Sequence, residues 1–558
     1  MWVNRTAKIV YFLVVLLVLV GAALSANLNP RGLPGWLVFF SAARIILTIF
    51  ILIVPFFRQG TIKGTLTALG FLRRHLLLCA TVFCVLIIAV QVLLIATIRA
   101  NPGFDPGHMM DIVRSSLQGG AGSVGGTSSA GATSVAGATA SAASAASAGS
   151  AGITASTSSA AITPDPYLSE YPNNQLFYLL IYAISYLTGG PQNAVLDLCN
   201  MFCIDLSILL TAFAAARRFG RYYGYATLFC GGFLAGLSPL VLVPYTDTMV
   251  LPLVSGGLLV LAFYRADLSL PKQLVVGLLL GVISVLAYLM KPSALVPFIA
   301  AAIAFMVWFL ISWHRRKKEK ENWAIRAGFF FKSISLVLVF LIAFSGCSLL
   351  FTRYIDTQQV FVYQKEMRLP LTHYLMMGVS EPDGGYNTPD LEATRAAGDY
   401  DQKVAYNISV IKTRLEDLGF GGYMGLLARK FTASTSDGSF FFRGEGGSPL
   451  AKDLNLQGWL PQGLAQVFFS DGDYFHVYPF YAQLVWLVVL ALMLFSVKGK
   501  DPFTFILWIT FIGGLICILL FQGGNTSYLI QFIPIFSILA AFGLGALVSN
   551  LRAFITSK

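Results

Sequence analysis

Long apolar runs, such as VVGLLLGVISVLAYLM at 275–290, recur along this chain and restrict its fold more than any other feature. A helix that crosses the ~30 Å hydrocarbon layer needs about 20 mostly apolar residues. Helices and closed barrels alone satisfy every backbone group in lipid. Twelve segments qualify as helical spans: 9–26, 35–57, 75–98, 195–216, 224–243, 248–264, 273–290, 294–312, 328–350, 479–497, 503–521 and 527–548. With 558 residues, 56% hydrophobic and only 11% charged, the composition is that of an all-α polytopic membrane protein rather than a soluble enzyme.

The charges orient these spans. Arg58, Lys63, Arg73 and Arg74, then Arg217, Arg218 and Arg221, then Arg315, Arg316, Lys317, Lys318 and Lys320 occupy short connections on one side, the cytoplasmic one by the positive-inside rule. This alternation requires that 174–188, NQLFYLLIYAISYLT, lie in the interface rather than cross; its Tyr and Phe content suits the headgroup level. The first span ends in AALSAN, which looks like a signal-peptidase site, but its long apolar run and the parity of the spans favour its retention. Both termini are then cytoplasmic, in a plasma-membrane protein. Residues 99–194 and 351–478 face outward, and the second region holds 15 of the 26 acidic residues. The net charge of +12 therefore reflects orientation and not nucleic-acid binding. All seven cysteines fall within expected spans, so no disulfide framework braces the outer regions. Residues 119–162 are almost wholly Gly, Ala, Ser and Thr, a flexible insertion without chemistry.

On this map the polar residues that interrupt apolar runs converge on the outer side. Asp247 stands in PYTDTMV between two spans, Lys291 in YLMKPSALVP, and Asp105, His108 and Asp111 in NPGFDPGHMMD. Tyr528 lies between Asn525 and Gln531 in GGNTSYLIQFIP, and Asp197, Asn200 and Asp205 lie on or inside the fourth span. An ionisable group at membrane depth costs at least ~2.5 kcal/mol unless paired or wet, so each is a functional candidate. Each also has a plainer reading: Asp247 and Lys291 reach water by snorkelling, Asp205 is bonded to a neighbouring helix, and His108 is a surface residue. Asp105, His108 and Asp111 have the donor types for a divalent cation, but two carboxylates and one His in a loop are a weak set, and the sequence requires no cofactor. The convergence is the stronger signal, and it predicts an outward-opening cavity that holds acid and base at the lipid boundary.

Several of these motifs, in this order, resemble the GT-C glycosyltransferases. An early Asp (Asp105) follows an apolar span, then an interfacial helix introduced by Tyr171, Pro172, Asn173 and Asn174, then a span pair ending in SPLVLVPYTD. The pattern is similar to the protein O-mannosyltransferases and the lipid A aminoarabinose transferase, with YPNN where those carry a PPL-type motif. THYLMMG (372–378) followed by DGGYN (383–387) resembles a branch of Gram-positive integral membrane glycosyltransferases. The resemblance implies a GT-C-type bundle of about twelve transmembrane helices with two large outer loops, in which residues 75–350 form the core and 1–74 add two spans. Residues 351–478 would be the extracytoplasmic domain and 479–558 the last three spans. It further implies transfer of a sugar, with inversion, from a polyprenyl-phosphate carrier to an extracytoplasmic glycan, lipid or protein. Asp105 would be the base and Lys291 the partner of the leaving phosphate. Asp247 would orient substrate or a cation, Tyr528 and YPNN would line the site, and His373 and Asn387 would shape the acceptor side.

Residues 351–478 show no GxSxG, Walker or dinucleotide fingerprint, so the chemistry is expected in the cavity beneath them. Two rival classes remain. A ligase using a polyprenyl-diphosphate-linked glycan shares the outward spans and late outer loop, whereas a transporter of lipid-linked glycans is expected to show internal repeats and matched broken helices.

Overall fold

The computed structural model describes residues 2–24, 75–98, 104–119, 166–382, 384–440, 459–468, 472–499, 501–521 and 525–556. The span expected at 35–57, the insertion beyond Gly119 and Asp383 lie outside them. Among the described residues the regular structure is entirely helical, and ten helices are long and apolar enough to cross a bilayer. They coincide with ten of the twelve expected spans, and the chain is a polytopic membrane protein.

In chain order the helices are α1 (Trp2–Leu24), α2 (Leu76–Thr97), α3 (Phe104–Gly119), α4 (Tyr167–Glu170), α5 (Gln175–Thr188), α6 (Asn193–Phe219) and α7 (Arg221–Gly231). There follow α8 (Thr246–Met249), α9 (Leu251–Phe263), α10 (Leu270–Met290), α11 (Val296–Lys318) and α12 (Trp323–Thr357). The rest are α13 (Leu371–Gly378), α14 (Thr388–Ala396), α15 (Tyr400–Thr435), α16 (Trp459–Phe468), α17 (Val477–Phe495), α18 (Pro502–Phe521) and α19 (Ile533–Thr556). The 174–188 segment is α5, a 14-residue helix outside the set long enough to cross.

The span expected at 224–243 is corrected: it is not one continuous helix. It runs as α7, a π turn at Gly232–Gly236 and a 3-10 turn at Pro239–Leu242. Pro239 has no N–H for a helical bond and forces Ser238 into an extended conformation, φ −94° and ψ 143°. Packing adds to this, since a Cβ on Gly232 would stand 2.4 Å from the Phe83 ring of α2. Broken backbone survives at membrane depth only when other groups satisfy it. Here Tyr481 donates to the Phe233 carbonyl at 2.9 Å, Asn200 donates to the carbonyls of Leu240 and Val241 at 2.8 and 3.0 Å, and the hydroxyls of Ser238 and Tyr478 are 2.7 Å apart.

Helix contacts otherwise rest on small residues and buried hydroxyls, since apolar area alone does not favour helix over lipid. Gly277 and Gly281 of α10 form a GxxxG pair against α12, where an added Cβ would meet the Leu336 and Phe340 carbonyls at 2.8 and 2.7 Å. Ser207 and Thr211 of α6 meet Ser255 of α9 at 2.6 and 2.9 Å. A fully buried aromatic group of Tyr11, Trp486, Trp508 and Phe536 joins α1, α17, α18 and α19.

The bundle has two distinct ends. Arg217, Arg218 and Asp501 mark one, joined by the Arg218–Asp501 ion pair at 2.7 Å. Lys291 and Asp247 mark the other, and α13, α14 and α15 are fastened there. Lys430 of α15 is fully buried and donates to the Gly378 carbonyl at 2.7 Å and the Leu519 carbonyl at 2.5 Å, so one ammonium caps the C-terminal ends of α13 and α18. Gln483 of α17 bonds the carbonyls of Ala22 and Ser436, and Trp486 donates to the Thr435 carbonyl. The apolar faces of α2, α10 and α12 remain exposed in a manner suited to lipid, as at Val82, Leu278 and Ile342.

Candidate functional site

Two proline-bounded turns carry the charged residues. Lys291 ends α10 because Pro292 follows it, which biases its backbone to the extended region, φ −156° and ψ 111°. Pro244 closes the broken stretch in the same way, after which Tyr245 is extended and Asp247 lies in the short α8. The two turns meet. Lys291 forms an ion pair with Asp247, and the two side chains retain only 9% and 8% of their exposure. The Lys291 ammonium also stands 5.5 Å from the centre of the Tyr528 ring, a cation–π contact. Beside it Ser293 and Gln531 exchange hydrogen bonds at 2.8 and 3.0 Å, tying the turn after α10 to the 3-10 segment Thr526–Phe532.

Asp105 enters from the first turn of α3. Tyr245 donates its phenolic hydrogen to Asp105 Oδ2 at 2.6 Å, so two residues of one turn reach both sides of the site: Tyr245 holds Asp105 and Asp247 holds Lys291. Tyr167 lies within hydrogen-bonding reach of the same Asp105 carboxylate, and Asn174 donates to the Tyr167 oxygen at 2.6 Å. Burial first, and then the negative charge of Asp105, hold the phenols of Tyr245 and Tyr167 well above the usual tyrosine range. Burial likewise raises Tyr171 and Tyr374. These phenols therefore stay protonated, and Tyr245 and Tyr167 act as neutral donors to the Asp105 carboxylate. The arrangement offers one half-buried carboxylate positioned by phenols and one ammonium shared with a second carboxylate.

The YPNN residues form the wall on this side. Tyr171 packs on Tyr167 with ring centres 5.0 Å apart, Pro172 opens the 3-10 turn Pro172–Asn174, Asn173 donates to Asn174 at 3.2 Å, and Asn174 orients Tyr167. Glu170, just before them, is buried and takes a two-pronged ion pair from Arg395 of α14 at 2.6 and 2.7 Å, locking the wall to α14. Asp105, Asp247, Lys291, Tyr528 and YPNN are thus brought together.

His373 and Asn387 are engaged elsewhere. His373 is buried with Nδ1 2.9 Å from the Thr394 hydroxyl, and burial, opposed by the Asp390 charge and aided by that of Arg395, lowers its pKa from the ordinary 6.5. Asn387 caps α14, accepting from the Asp390 N–H at 2.7 Å and donating to Ser380 at 2.8 Å. The neighbour of His373, Tyr374, is the one that senses Asp105. His108 is exposed and edge-on to the Tyr167 ring, and Asp111 is paired with Arg114. Among the described residues no three His, Cys, Asp or Glu side chains form a metal-binding group. A cavity of about 490 Å³ opens at the opposite, arginine-rich end, lined by Arg217, Arg265, Asp267 and Lys272.

Tyr245, Tyr167 and Glu170 escaped the sequence reading. Tyr245 sits two residues before Asp247, a visible position, but its partner is 140 residues away and nothing local announces the bond.

The family model described as a conserved hypothetical integral membrane protein matches residues 147–547. That match takes in every helix from α4 to α18 and the Asp247–Lys291 pair, and it begins after Asp105. No curated protein and no solved structure matches the chain.

Proposed function

The chain belongs to the family of conserved hypothetical integral membrane proteins, and from that premise we propose that the Asp105–Tyr245–Asp247–Lys291 cluster is a glycosyl-transfer site. The observation that carries this reading is the placement of Asp105 and the Lys291 ammonium on two sides of a single turn, through Tyr245 at 2.6 Å and the Asp247 ion pair. Transfer from a polyprenyl-phosphate sugar needs those two functions. A carboxylate takes the proton of the acceptor hydroxyl as it attacks the anomeric carbon, and a cation holds the phosphate as it leaves. Asp105 serves as the base. Lys291 serves the phosphate by dividing its charge between that group and Asp247. One displacement inverts the anomeric centre. By the positive-inside rule the arginine-rich end is cytoplasmic, which puts the cluster at the outer leaflet of the plasma membrane, with acceptor arriving under α13–α15.

A second reading, a transporter of lipid-linked glycan, draws on the broken stretch at 232–242, since transporters build sites at interrupted helices. Purified protein given a polyprenyl-monophosphate sugar or a diphosphate-linked oligomer separates the classes. The proposal expects transfer from the monophosphate donor and its loss in Asp105→Asn. Transfer unaffected by Asp105→Asn removes the assignment of the base, and flux of intact lipid without turnover favours the transporter.

A further inference from the structure

Helix α6 carries a second polar feature that the glycosyl-transfer reading does not use. Asp197 and Asn200 are three residues apart and so lie on one face of the helix. Both are buried, at 4% and 0% exposure. Asn200 gives its amide hydrogens to the carbonyls of Leu240 and Val241 in the broken stretch, while its Oδ1 is buried with no donor among the described residues. The Asp197 carboxylate likewise has no hydrogen bond or ion pair among the described residues. Two oxygen acceptors thus stand a helical turn apart, Asn200 against unwound backbone, with no cation and no donor for either among the described residues.

Among the described residues the neighbouring elements supply no compensation. Helix α9 and the turn Pro239–Leu242 contain no charged side chain. Asp247 of α8 is held by Lys291, and Asp205, two turns along α6, accepts from Gln91 of α2 at 3.0 Å. Cys199 and Cys203 share α6, Cys79 and Cys84 lie on α2, Cys230 ends α7, and the remaining charges of α7 and α19, Arg221 and Arg552, belong to the arginine-rich end. Tyr222, Tyr223 and Tyr225 of α7 lie toward that end as well. Among the described residues no charged group stands near enough to Asp197 to act on it.

We propose that Asp197 and Asn200, set against the break at 232–242, form a binding site for one monovalent cation, a proton or a sodium ion. A carboxylate on a residue only 4% exposed, with no partner among the described residues, is costly to keep charged without a bound cation. With a proton, Asp197 gains an O–H to serve the Asn200 Oδ1. With sodium, both side-chain oxygens and the carbonyls of the unwound stretch are the hard donors such an ion takes at interrupted helices. The site does not depend on the glycosyl-transfer reading.

The test uses the full chain in lipid nanodiscs and infrared difference spectra between wild type and Asp197→Asn. In choline chloride at neutral pH, wild type is expected to show the C=O stretch of a neutral carboxylic acid that Asp197→Asn lacks. Addition of sodium chloride replaces that band with carboxylate stretches if sodium occupies the site, and raises the melting temperature of wild type alone. Persistence of the band with unchanged melting identifies the proton. Carboxylate stretches from Asp197 in sodium-free choline chloride would overturn the proposal. If Asp197→Asn does not fold, reaction of wild type with dicyclohexylcarbodiimide, read by mass spectrometry, replaces the comparison: an adduct at Asp197 in choline chloride is expected, and its absence refutes the site.

Discussion

Replacing Lys291 with Met should expose how far the buried pair holds the two turns together. Lys291→Met leaves the Asp247 carboxylate at 8% exposure with no counter-charge. Unit charges about 4 Å apart interact by ~4 kcal/mol at an effective dielectric of about 20, and breaking a buried pair from one side costs about 3–5 kcal/mol. Loss of the ammonium over the Tyr528 ring adds about 0.5–1 kcal/mol. A total of about 3.5–6 kcal/mol is therefore expected for the single variant. Lys291→Met combined with Asp247→Asn removes both charges and leaves only a neutral amide short of a partner, worth about 1–3 kcal/mol. The double variant should thus recover stability relative to Lys291→Met, with a coupling of at least ~2 kcal/mol in the cycle. Unfolding in mixed micelles titrated with dodecyl sulfate, followed by the fluorescence of the buried Trp486 and Trp508, measures all four proteins. If Lys291→Met costs under ~1 kcal/mol, or if the two losses simply add, the charges do not depend on each other and the reasoning fails.

Tyr245→Phe deletes the 2.6 Å bond to Asp105, worth about 1.5–3 kcal/mol to a charged acceptor. Under the proposed reaction this should lower kcat about ten- to a hundredfold with folding intact, and unchanged turnover would detach Tyr245 from the base. Lys430→Met strands the Gly378 and Leu519 carbonyls and should cost about 2–4 kcal/mol. It should also open 378–430 to limited proteolysis, and wild-type resistance would contradict the capping role. His373 has a folded-state pKa below 6.5, so the unfolded chain binds its proton first; the stability it contributes is complete above pH 6.5 and is lost as pH falls below that value toward the folded pKa. Melting curves from pH 7 down to about pH 5 should fall more steeply for wild type than for His373→Gln, and parallel curves would rule this out.

Membrane class, helical content and ten of the spans were legible in the chain because each depends on local composition: a run long and apolar enough to cross lipid has few other places to go. Lys291 and Asp247 were legible as candidates for the same reason, being charges where charge is costly. Tertiary structure alone decided what they do to each other, for the Asp247–Lys291 and Asp105–Tyr245 contacts join residues 44 and 140 positions apart. The break at 232–242 lay between. Its proline and glycines were visible, but whether they interrupt a helix depended on Tyr481, Asn200 and Tyr478 arriving from distant helices to satisfy the freed backbone. Hydrophobicity is a property of each segment taken singly, whereas the partner of a buried polar atom is a property of the packed whole.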